Sequence, residues 1–309
     1  MVGSSKTAIY AALFGNLGIT ITKFIAAAMT GNAAMWAESY HSASDTANQL
    51  LLLFGIKQSQ KKYTYTHQFG HSMEQFFWSF IVATLIFGIS GILSLEHGIS
   101  ALLSEEHHLE DPTINYVVLG IAVIFEGNAL RIALKQFKKS IENQGEKFGL
   151  RSLFNEFKES KDPTLLTVIV EDSAALLGIG VAAIGIFLTH LTGNIVYDAV
   201  SSLIIGIILM TFAFFLAKEN KGLLIGESIS KKDYKSIVNE IRSINEVNKI
   251  ITMKTMHLGP SDILIGIQVN LIDNLDTDQV ELVTDKIETS IMKILPDLNR
   301  QHIFVEIER

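Results

Sequence analysis

The sequence predicts an α-helical polytopic membrane protein, with six transmembrane helices followed by a C-terminal cytoplasmic α+β domain. Six hydrophobic runs, each long enough to cross a bilayer at about 20 residues, precede residue 220. Only 18% of the 309 residues are charged, which is a low share for a soluble protein. After Lys218 the sequence becomes polar, and its apolar positions follow helix and strand periods. We therefore predict two domains, residues 1–218 in the membrane and residues 219–309 in the cytoplasm.

The six predicted spans are not uniformly apolar. In chain order they are Thr7–Met29, Ala33–Ile56, Glu74–Leu103, Thr113–Lys135, Pro163–His190 and Ile195–Ala217. Several contain charged or amide side chains, which are costly in a bilayer and usually face a partner or a water-filled path. Lys23 in the first span and Asp198 in the sixth are examples, and we expect them to pair with each other or to cap structural contacts.

The charges of the loops predict the orientation of the spans. The loops after the first, third and fifth spans contain no Lys or Arg, whereas the second span is followed by Lys57, Lys61 and Lys62. The fourth span is followed by further basic residues between Lys135 and Lys161. Because basic loops stay in the cytoplasm, both termini are predicted to be cytoplasmic.

The tail has the pattern of a small sheet covered by helices on one face. Its predicted elements are a helix at Lys231–Ile244, strands at Lys249–Leu258 and Ile263–Ile272, a helix at Asp276–Leu295 and a strand at His302–Ile307. This α-β-β-α-β order is ferredoxin-like, and about 90 residues are enough for an independent domain.

The second span carries a polar stripe that predicts metal binding. Its polar residues are spaced three, four and three positions apart, which places them on one face of a helix: Glu38, His41, Asp45 and Asn48. One turn separates His41 from Asp45, so an imidazole nitrogen and a carboxylate oxygen can converge as tetrahedral zinc ligands. The alternative is a soluble helix with a polar face, but the apolar surroundings favour an HxxxD ligand pair inside a membrane.

The fifth span holds two adjacent acids, Glu171 and Asp172, among apolar neighbours. Two such carboxylates do not both stay ionised in a bilayer without a cation. We predict that Asp172 meets the HxxxD pair across a helix interface, whereas Glu171 points about 100° away. Glu171 is then an additional ligand, a proton site or the partner of Lys23 or Arg131. The alternative is that both acids bond to neighbouring helices for structural reasons only.

At these residues the chain resembles the cation diffusion facilitator family of dimeric, proton-coupled metal exporters, in particular its mitochondrial-zinc-exporter-like branch. The resemblance covers nearly the whole chain. Its most specific motifs are ESYHSASDTANQ in the second span, HQFGHSMEQ before the third and VEDSAALLG in the fifth.

The resemblance implies a metal site with one departure from the family pattern. The family's second-span ligands match His41 and Asp45, and its fifth-span aspartate matches Asp172. The histidine that usually precedes this aspartate falls on Val168. Completion of the site is left to Glu171, Asn48, a backbone carbonyl or water. A site richer in oxygen ligands also relaxes the preference for zinc and admits manganese, iron(II) or cobalt.

Two further family features are reduced in this chain. The loop before the third span contains His67 and His71 at positions where relatives bind a secondary metal, but the family's upstream aspartate falls near Thr64. A helix-start motif and a metal site are both open interpretations of this loop. The tail has only His257 and His302 as histidines, so we expect chiefly a dimerisation module there.

The resemblance therefore implies a homodimeric antiporter rather than an enzyme. It would export divalent cations in exchange for H⁺, with Zn²⁺ as the first candidate and Mn²⁺, Fe²⁺, Co²⁺ and Cd²⁺ as alternatives. No cofactor is expected. The rival functions are a membrane metal-binding protein that does not transport, and a passive channel, against which a tight midmembrane chelate argues.

Composition limits the remaining possibilities. A formal charge of −7 argues against nucleic acid as a partner, and the absence of cysteine excludes disulfides and thiolate metal sites. No signal or transit peptide is evident, so we expect an integral protein of a bacterial or archaeal inner membrane.

Overall fold

The computed structural model describes residues 2–103, 111–143, 149, 163–260, 262–296 and 298–308. The chain forms two compact units. The membrane unit consists of Met1–Gly55 and Trp78–Asn220, and the tail unit consists of Ile56–Phe77 and Lys221–Arg309. The acidic loop 104–110 lies outside the described residues, as does most of 144–162, which carries four of the basic residues used to predict the orientation.

Six long helices form at the six predicted spans, which confirms the predicted fold class. They are α1 (Val2–Thr30), α2 (Ala33–Ser59), α3 (Glu74–Leu103), α4 (Thr113–Asn143), α5 (Pro163–Thr192) and α6 (Val196–Ile225). A π-helical turn at Val82–Ile86 interrupts α3. Within the described residues, α3 to α6 are long and apolar enough to cross a membrane. α2 is similarly long but carries the polar residues described below.

Small side chains fill the core of the membrane unit. The buried alanines come from every one of the six helices: Ala26, Ala27, Ala34, Ala37, Ala83, Ala122, Ala174, Ala182 and Ala213. Such residues let helix backbones approach closely, which is how membrane helices gain packing energy. Large apolar side chains such as Ile124 and Phe214 are exposed on the outside of the bundle, as a lipid-facing surface requires.

Asp198 caps the beginning of α2. Its carboxylate oxygens accept hydrogen bonds from the backbone N–H groups of Ala33, at 2.6 Å, and Ala34, at 3.0 Å. These N–H groups have no partner within their own helix, and the negative charge also suits the helix dipole. Of the two roles expected for Asp198, capping is therefore correct and pairing with Lys23 is wrong.

Replacing Asp198 by asparagine should destabilise the bundle. The amide keeps one acceptor but turns an NH₂ group toward the second backbone N–H, which is then buried without a partner. The cost of such a group is about 1–3 kcal/mol. We expect a lower unfolding temperature for the detergent-solubilised Asp198→Asn protein in a thermal-shift measurement.

The matched control is Asp111→Asn, because Asp111 is an aspartate at the beginning of another helix, α4, but at an exposed position. It accepts hydrogen bonds from the hydroxyl and N–H of Thr113, which lower the pKa of Asp111. Water can replace these bonds after the substitution, so its effect should be smaller. If both substitutions lowered the unfolding temperature equally, burial of the Asp198 cap would not contribute to its stabilising effect.

The tail unit has the predicted α-β-β-α-β order. Its elements are α7 (Lys231–Arg242), β1 (Val247–Gly259), β2 (Asp262–Leu271), α8 (Thr277–Ile294) and β3 (Ile303–Ile307). The sheet order is β1-β2-β3, with β1 antiparallel and β3 parallel to β2. Burial alternates along β2, so one face of the sheet packs on a core that α7 and α8 complete.

The loop between α2 and α3 packs on the tail domain. The Tyr63 hydroxyl accepts a hydrogen bond of 2.8 Å from Asn299. Asp262 joins the two parts, since it accepts bonds from the Ser72 hydroxyl at 3.0 Å and from His302 Nδ1 at 2.7 Å. The ring of Phe69 lies 5.7 Å from that of His302. The predicted boundaries assign this loop to the first domain, whereas its contacts are with the tail.

Loss of Asp262 should release this loop. In Asp262→Ala the buried His302 and the partly buried Ser72 lose their common acceptor, so the loop should open more often. Because Lys61 and Lys62 are exposed in the loop, we expect limited trypsin digestion to cut there several-fold faster. Asp273→Ala, at an exposed turn, is the control and should digest like the unmodified protein. An unchanged rate for Asp262→Ala would mean that the apolar contacts alone hold the loop.

Candidate metal centre

The polar stripe of α2 is buried inside the membrane unit. Its four members have at most 4% of their surface exposed: Glu38, His41, Asp45 and Asn48. This confirms that the polar spacing marks an interior face and not a solvated one. Burial of so many polar groups is costly unless each has a partner or a bound cation.

His41 and Asp45 lie side by side, as their spacing predicts. His41 Nδ1 is 3.5 Å from Asp45 Oδ1, one turn along the same helix. Because both side chains are buried, an imidazole nitrogen and a carboxylate oxygen face the same small volume away from bulk water. These are donor types that zinc and other first-row divalent cations accept.

On α5, Glu171 is the acid that meets α2. Its Oε1 accepts a hydrogen bond of 3.3 Å from Asn48 Nδ2. The carboxyl group of Glu171 also lies within hydrogen-bonding reach of Asp45. Of the roles left open for Glu171, pairing with Lys23 is not observed, because Lys23 is bonded to Glu38. The roles of additional ligand and proton site stay predictions.

The carboxylates of this cluster have acceptor positions to spare. Neither oxygen of Asp45 receives a hydrogen bond from the described part of the chain, and the same holds for Asp172 Oδ2. Two ionised carboxylates only accept hydrogen bonds, so the approach of Asp45 to Glu171 requires a proton or a cation between them. The arrangement is therefore chemically suited to bind either one.

A fifth acid, Glu126 on α4, extends the cluster. It is 6% exposed and close enough to Asp45, Glu171 and Asp172 to interact electrostatically with each. Glu126 is not among the ligands predicted from the sequence. The available signal was an acid isolated among apolar residues of the fourth span, which is the same signal that identified Glu171 and Asp172.

The complete set of ligands stays a prediction. Among the residues that the structure describes, no three His, Asp or Glu side chains already surround one point as metal ligands. What the structure shows is two neighbouring pairs, His41 with Asp45 at 3.5 Å and Asp45 with Glu171. Asp172 follows Glu171 directly on α5 and is also buried.

An apolar residue, Val168, stands where the family pattern has its fifth-span histidine. Val168 lies one turn before Asp172 on α5 and packs against a buried cluster between α4 and α5 that includes Phe137 and Ile169. An apolar side chain at this position supplies no nitrogen ligand one turn before Asp172. Any cation held here by α5 would therefore be bound through carboxylate oxygen.

Lys23 has a different partner from those the sequence suggested. Its Nζ lies 2.9 Å from Glu38 Oε2, and both side chains are completely buried. The other oxygen, Glu38 Oε1, faces Gly178 on α5, where a side chain would collide with it. The pair ties α1 to α2 and lies next to the metal-ligand candidates on the same helix face.

The other candidate histidines lie in the tail unit. The rings of His67 and His71 are 4.4 Å apart, and His67 forms a bridge with Thr64 that shapes the loop. His257 and His302 are buried, and His302 is bonded to Asp262. Metal binding by the histidine pair of the loop stays a prediction.

Comparison with known proteins agrees with this architecture. Residues 9–225 match the family model described as the cation efflux transmembrane domain. The chain is 28% identical over 256 residues to metal tolerance protein C4 of Arabidopsis thaliana, covering 83% of this chain and 55% of that protein. It is 31% identical over 270 residues to the mitochondrial proton-coupled zinc antiporter SLC30A9 of Xenopus laevis, covering 87% and 47%.

A bacterial relative is matched over most of its length. The cation-efflux pump FieF of Citrobacter koseri is 24% identical over 293 residues, which cover 94% of this chain and 89% of that protein. By contrast, the chain spans about half the length of the Arabidopsis and Xenopus relatives it matches. Because the family model covers well over half of the chain and includes the buried acids of α2, α4 and α5, the chain belongs to the cation efflux family, the cation diffusion facilitators.

Proposed function

We propose that this protein exports divalent metal cations, with Zn²⁺ as the first candidate, in exchange for protons. The observation that carries this proposal is the buried cluster between α2 and α5, in which carboxylate oxygens inside a membrane unit lack hydrogen-bond donors. Family membership supports cation efflux. The name of the Xenopus relative, a proton-coupled zinc antiporter, supports zinc and protons as the exchanged ions.

The proposed ligands of the transported cation are His41, Asp45, Glu171 and Asp172. One nitrogen and several carboxylate oxygens suit Zn²⁺ and also admit Mn²⁺, Fe²⁺, Co²⁺ and Cd²⁺. Asn48 holds Glu171 by its hydrogen bond and thereby orients a ligand. A small adjustment of α2 against α5 would bring the side chains of these residues around one ion.

Protons and metal compete for the same atoms in this proposal. A cation binds to neutral imidazole and ionised carboxylates, so binding releases protons and protonation releases the metal. When the site opens to a more acidic side, protons occupy the ligand atoms and the cation leaves. An inward proton gradient then drives metal outward without any catalytic group or cofactor.

We further propose that the protein is a homodimer with both termini in the cytoplasm. The open face of the tail sheet supports an association surface, because Phe69 is 45% and Phe304 52% exposed beside a groove of about 360 Å³. The loop charges support the orientation. The membrane in which the protein resides stays a prediction.

The test is metal uptake into proteoliposomes that contain the purified protein. Zn²⁺, Mn²⁺, Fe²⁺, Co²⁺ and Cd²⁺ are compared with and without an imposed pH gradient. Uptake that requires the gradient and saturates with metal concentration supports the antiporter. Uptake without any gradient dependence would indicate a passive channel, and metal binding without flux would indicate a membrane metal-binding protein.

A further inference from the structure

The proposed transport mechanism leaves the Lys23–Glu38 ion pair without a role. This pair joins α1 to α2, is completely buried, and has its charged atoms 2.9 Å apart. Removing one partner of such a pair leaves an uncompensated charge in a medium of low dielectric constant, whereas removing both avoids that cost. Ionisable residues inside membrane helices commonly mark functional positions.

Glu38 lies within reach of the candidate metal site. It precedes His41 by three residues, so the two side chains share one face of α2 with Cβ atoms about 5–6 Å apart. Glu38 Oε1 is buried and accepts no hydrogen bond from the described residues. Without a constraint on its carboxylate, Glu38 would be available as an additional oxygen ligand for a cation at His41.

Two contacts fix the Glu38 carboxylate in its observed position. Lys23 binds Oε2, and Oε1 is placed against the backbone of α5 at Gly178, the one residue type that leaves room for it. At the other end of the same interface, Asn48 binds Glu171. The candidate ligands lie between these two contacts.

We propose that Lys23 is a positioning residue that keeps Glu38 out of the metal coordination shell. The bound cation is then held by one imidazole and the carboxylates of Asp45, Glu171 and Asp172. Release of Glu38 adds an oxygen ligand, which shifts the metal preference from Zn²⁺ toward Mn²⁺. This inference rests on the metal site of the proposed function but not on transport itself.

The experiment measures metal preference by binding. Equilibrium dialysis of the purified detergent-solubilised protein gives the dissociation constants of radioactive Zn²⁺ and Mn²⁺ for the unmodified protein, Lys23→Met, Lys23→Arg and the double variant Lys23→Met/Glu38→Gln. We expect Lys23→Met to change the ratio of the two constants at least tenfold in favour of Mn²⁺. Lys23→Arg keeps the ion pair, and the double variant has no Glu38 carboxylate to release. Both should therefore keep the original ratio within about threefold, the size of effect expected from a substitution without a specific role.

Gly178→Ala provides a second route to the same effect. The added methyl group displaces Glu38 Oε1 from α5 while Lys23 remains, so the metal ratio should move in the same direction as in Lys23→Met. This variant decides the question if Lys23→Met does not fold. An unchanged ratio in every folded single variant, or a shift in the double variant as large as in Lys23→Met, would overturn the proposal and leave the pair a structural one.

Binding and flux separate this inference from the proposed function. If the unmodified protein binds Zn²⁺ but does not move it under a pH gradient, the proposal of an antiporter is wrong. The ratio of the Zn²⁺ and Mn²⁺ dissociation constants still tests the role of Lys23. If Zn²⁺ binding is unaffected by Asp45→Asn, the metal site is elsewhere and the proposal for Lys23 is overturned with it. Gradient-driven flux with an unchanged ratio in Lys23→Met and Gly178→Ala overturns only the inference.

Discussion

Replacing Asp45 by asparagine is expected to abolish gradient-driven metal uptake without unfolding the helix bundle. Asp45 lies next to two other candidate ligands, His41 on its own helix and Glu171 on α5. Both of its oxygens lack hydrogen-bond donors in the described structure. The amide has nearly the same shape but no charge, so it fits the space and cannot neutralise a divalent cation.

The expected loss of metal affinity exceeds about tenfold, which is the lower end of what even an outer partner of a metal ligand contributes. Uptake of Zn²⁺ into proteoliposomes under a pH gradient and Zn²⁺ binding in detergent should fall together. The folded state is checked by gel filtration and by the unfolding temperature. Stability should not fall, because the substitution removes an uncompensated charge from a cluster of acids.

Glu281→Gln is the matched control, since it also removes one negative charge but lies at an exposed position on α8. It should transport like the unmodified protein. Undiminished uptake by Asp45→Asn, with the gradient still required, would show that the polar stripe of α2 is structural. The proposed metal site would then be wrong even though the protein is an antiporter.

Much of this architecture could be predicted because it depends on local patterns. Runs of apolar residues specify where helices cross a bilayer, and the third span was predicted with the bounds Glu74–Leu103 that the structure has. The alternation of buried residues in β2 and the N-cap residue of α8, Asp276, are equally local signals. The spacing of His41 and Asp45 is fixed by helix geometry alone, so their proximity follows from the sequence.

Contacts between helices could not be predicted in the same way. The spacing along α5 predicts that Glu171 and Asp172 point about 100° apart, but it does not predict which of them faces α2. That depends on how each helix is rotated about its axis, which is set by the packing of small residues such as Ala174 and Gly178. The pairing of Lys23 with Glu38 rather than Asp198 has the same origin.

The loop between α2 and α3 shows a second limit of local patterns. Tyr63, Phe69 and Ser72 pack on residues more than 180 positions later in the chain, including Asp262 and His302. No periodic pattern in the loop sequence indicates that these residues are its partners. A division by hydropathy therefore assigned the loop to the membrane domain, whereas side-chain contacts assign it to the tail unit.

Replacing Glu171 by glutamine is expected to impair metal binding nearly as strongly as replacing Asp45. In the structure, Glu171 is the acid of α5 that contacts α2, through Asn48 and Asp45. Glutamine keeps a carbonyl oxygen for the Asn48 amide, so the helix contact should survive. The charge that the cation needs is lost, and the amide NH₂ group can donate to Asp45 and occupy the place of the metal.

The comparison with Asp172→Asn and Asn48→Ala makes this expectation specific. Asp172→Asn should also lower Zn²⁺ binding, because the family pattern places a ligand there. Asn48→Ala removes only the group that orients Glu171, so it should weaken binding by less than Glu171→Gln. Dissociation constants for Zn²⁺, measured by equilibrium dialysis on all three variants, give the order of the effects.

The order of the three dissociation constants distinguishes two possible ligand sets for a site that lacks the family's second histidine. If Glu171→Gln is as severe as Asp172→Asn, Glu171 supplies the ligand that Val168 cannot, and α5 binds the cation through two adjacent carboxylates. If Glu171→Gln binds Zn²⁺ like the unmodified protein, Glu171 is an acid held by Asn48 for structural reasons. Water or a backbone carbonyl must then complete the coordination of His41, Asp45 and Asp172.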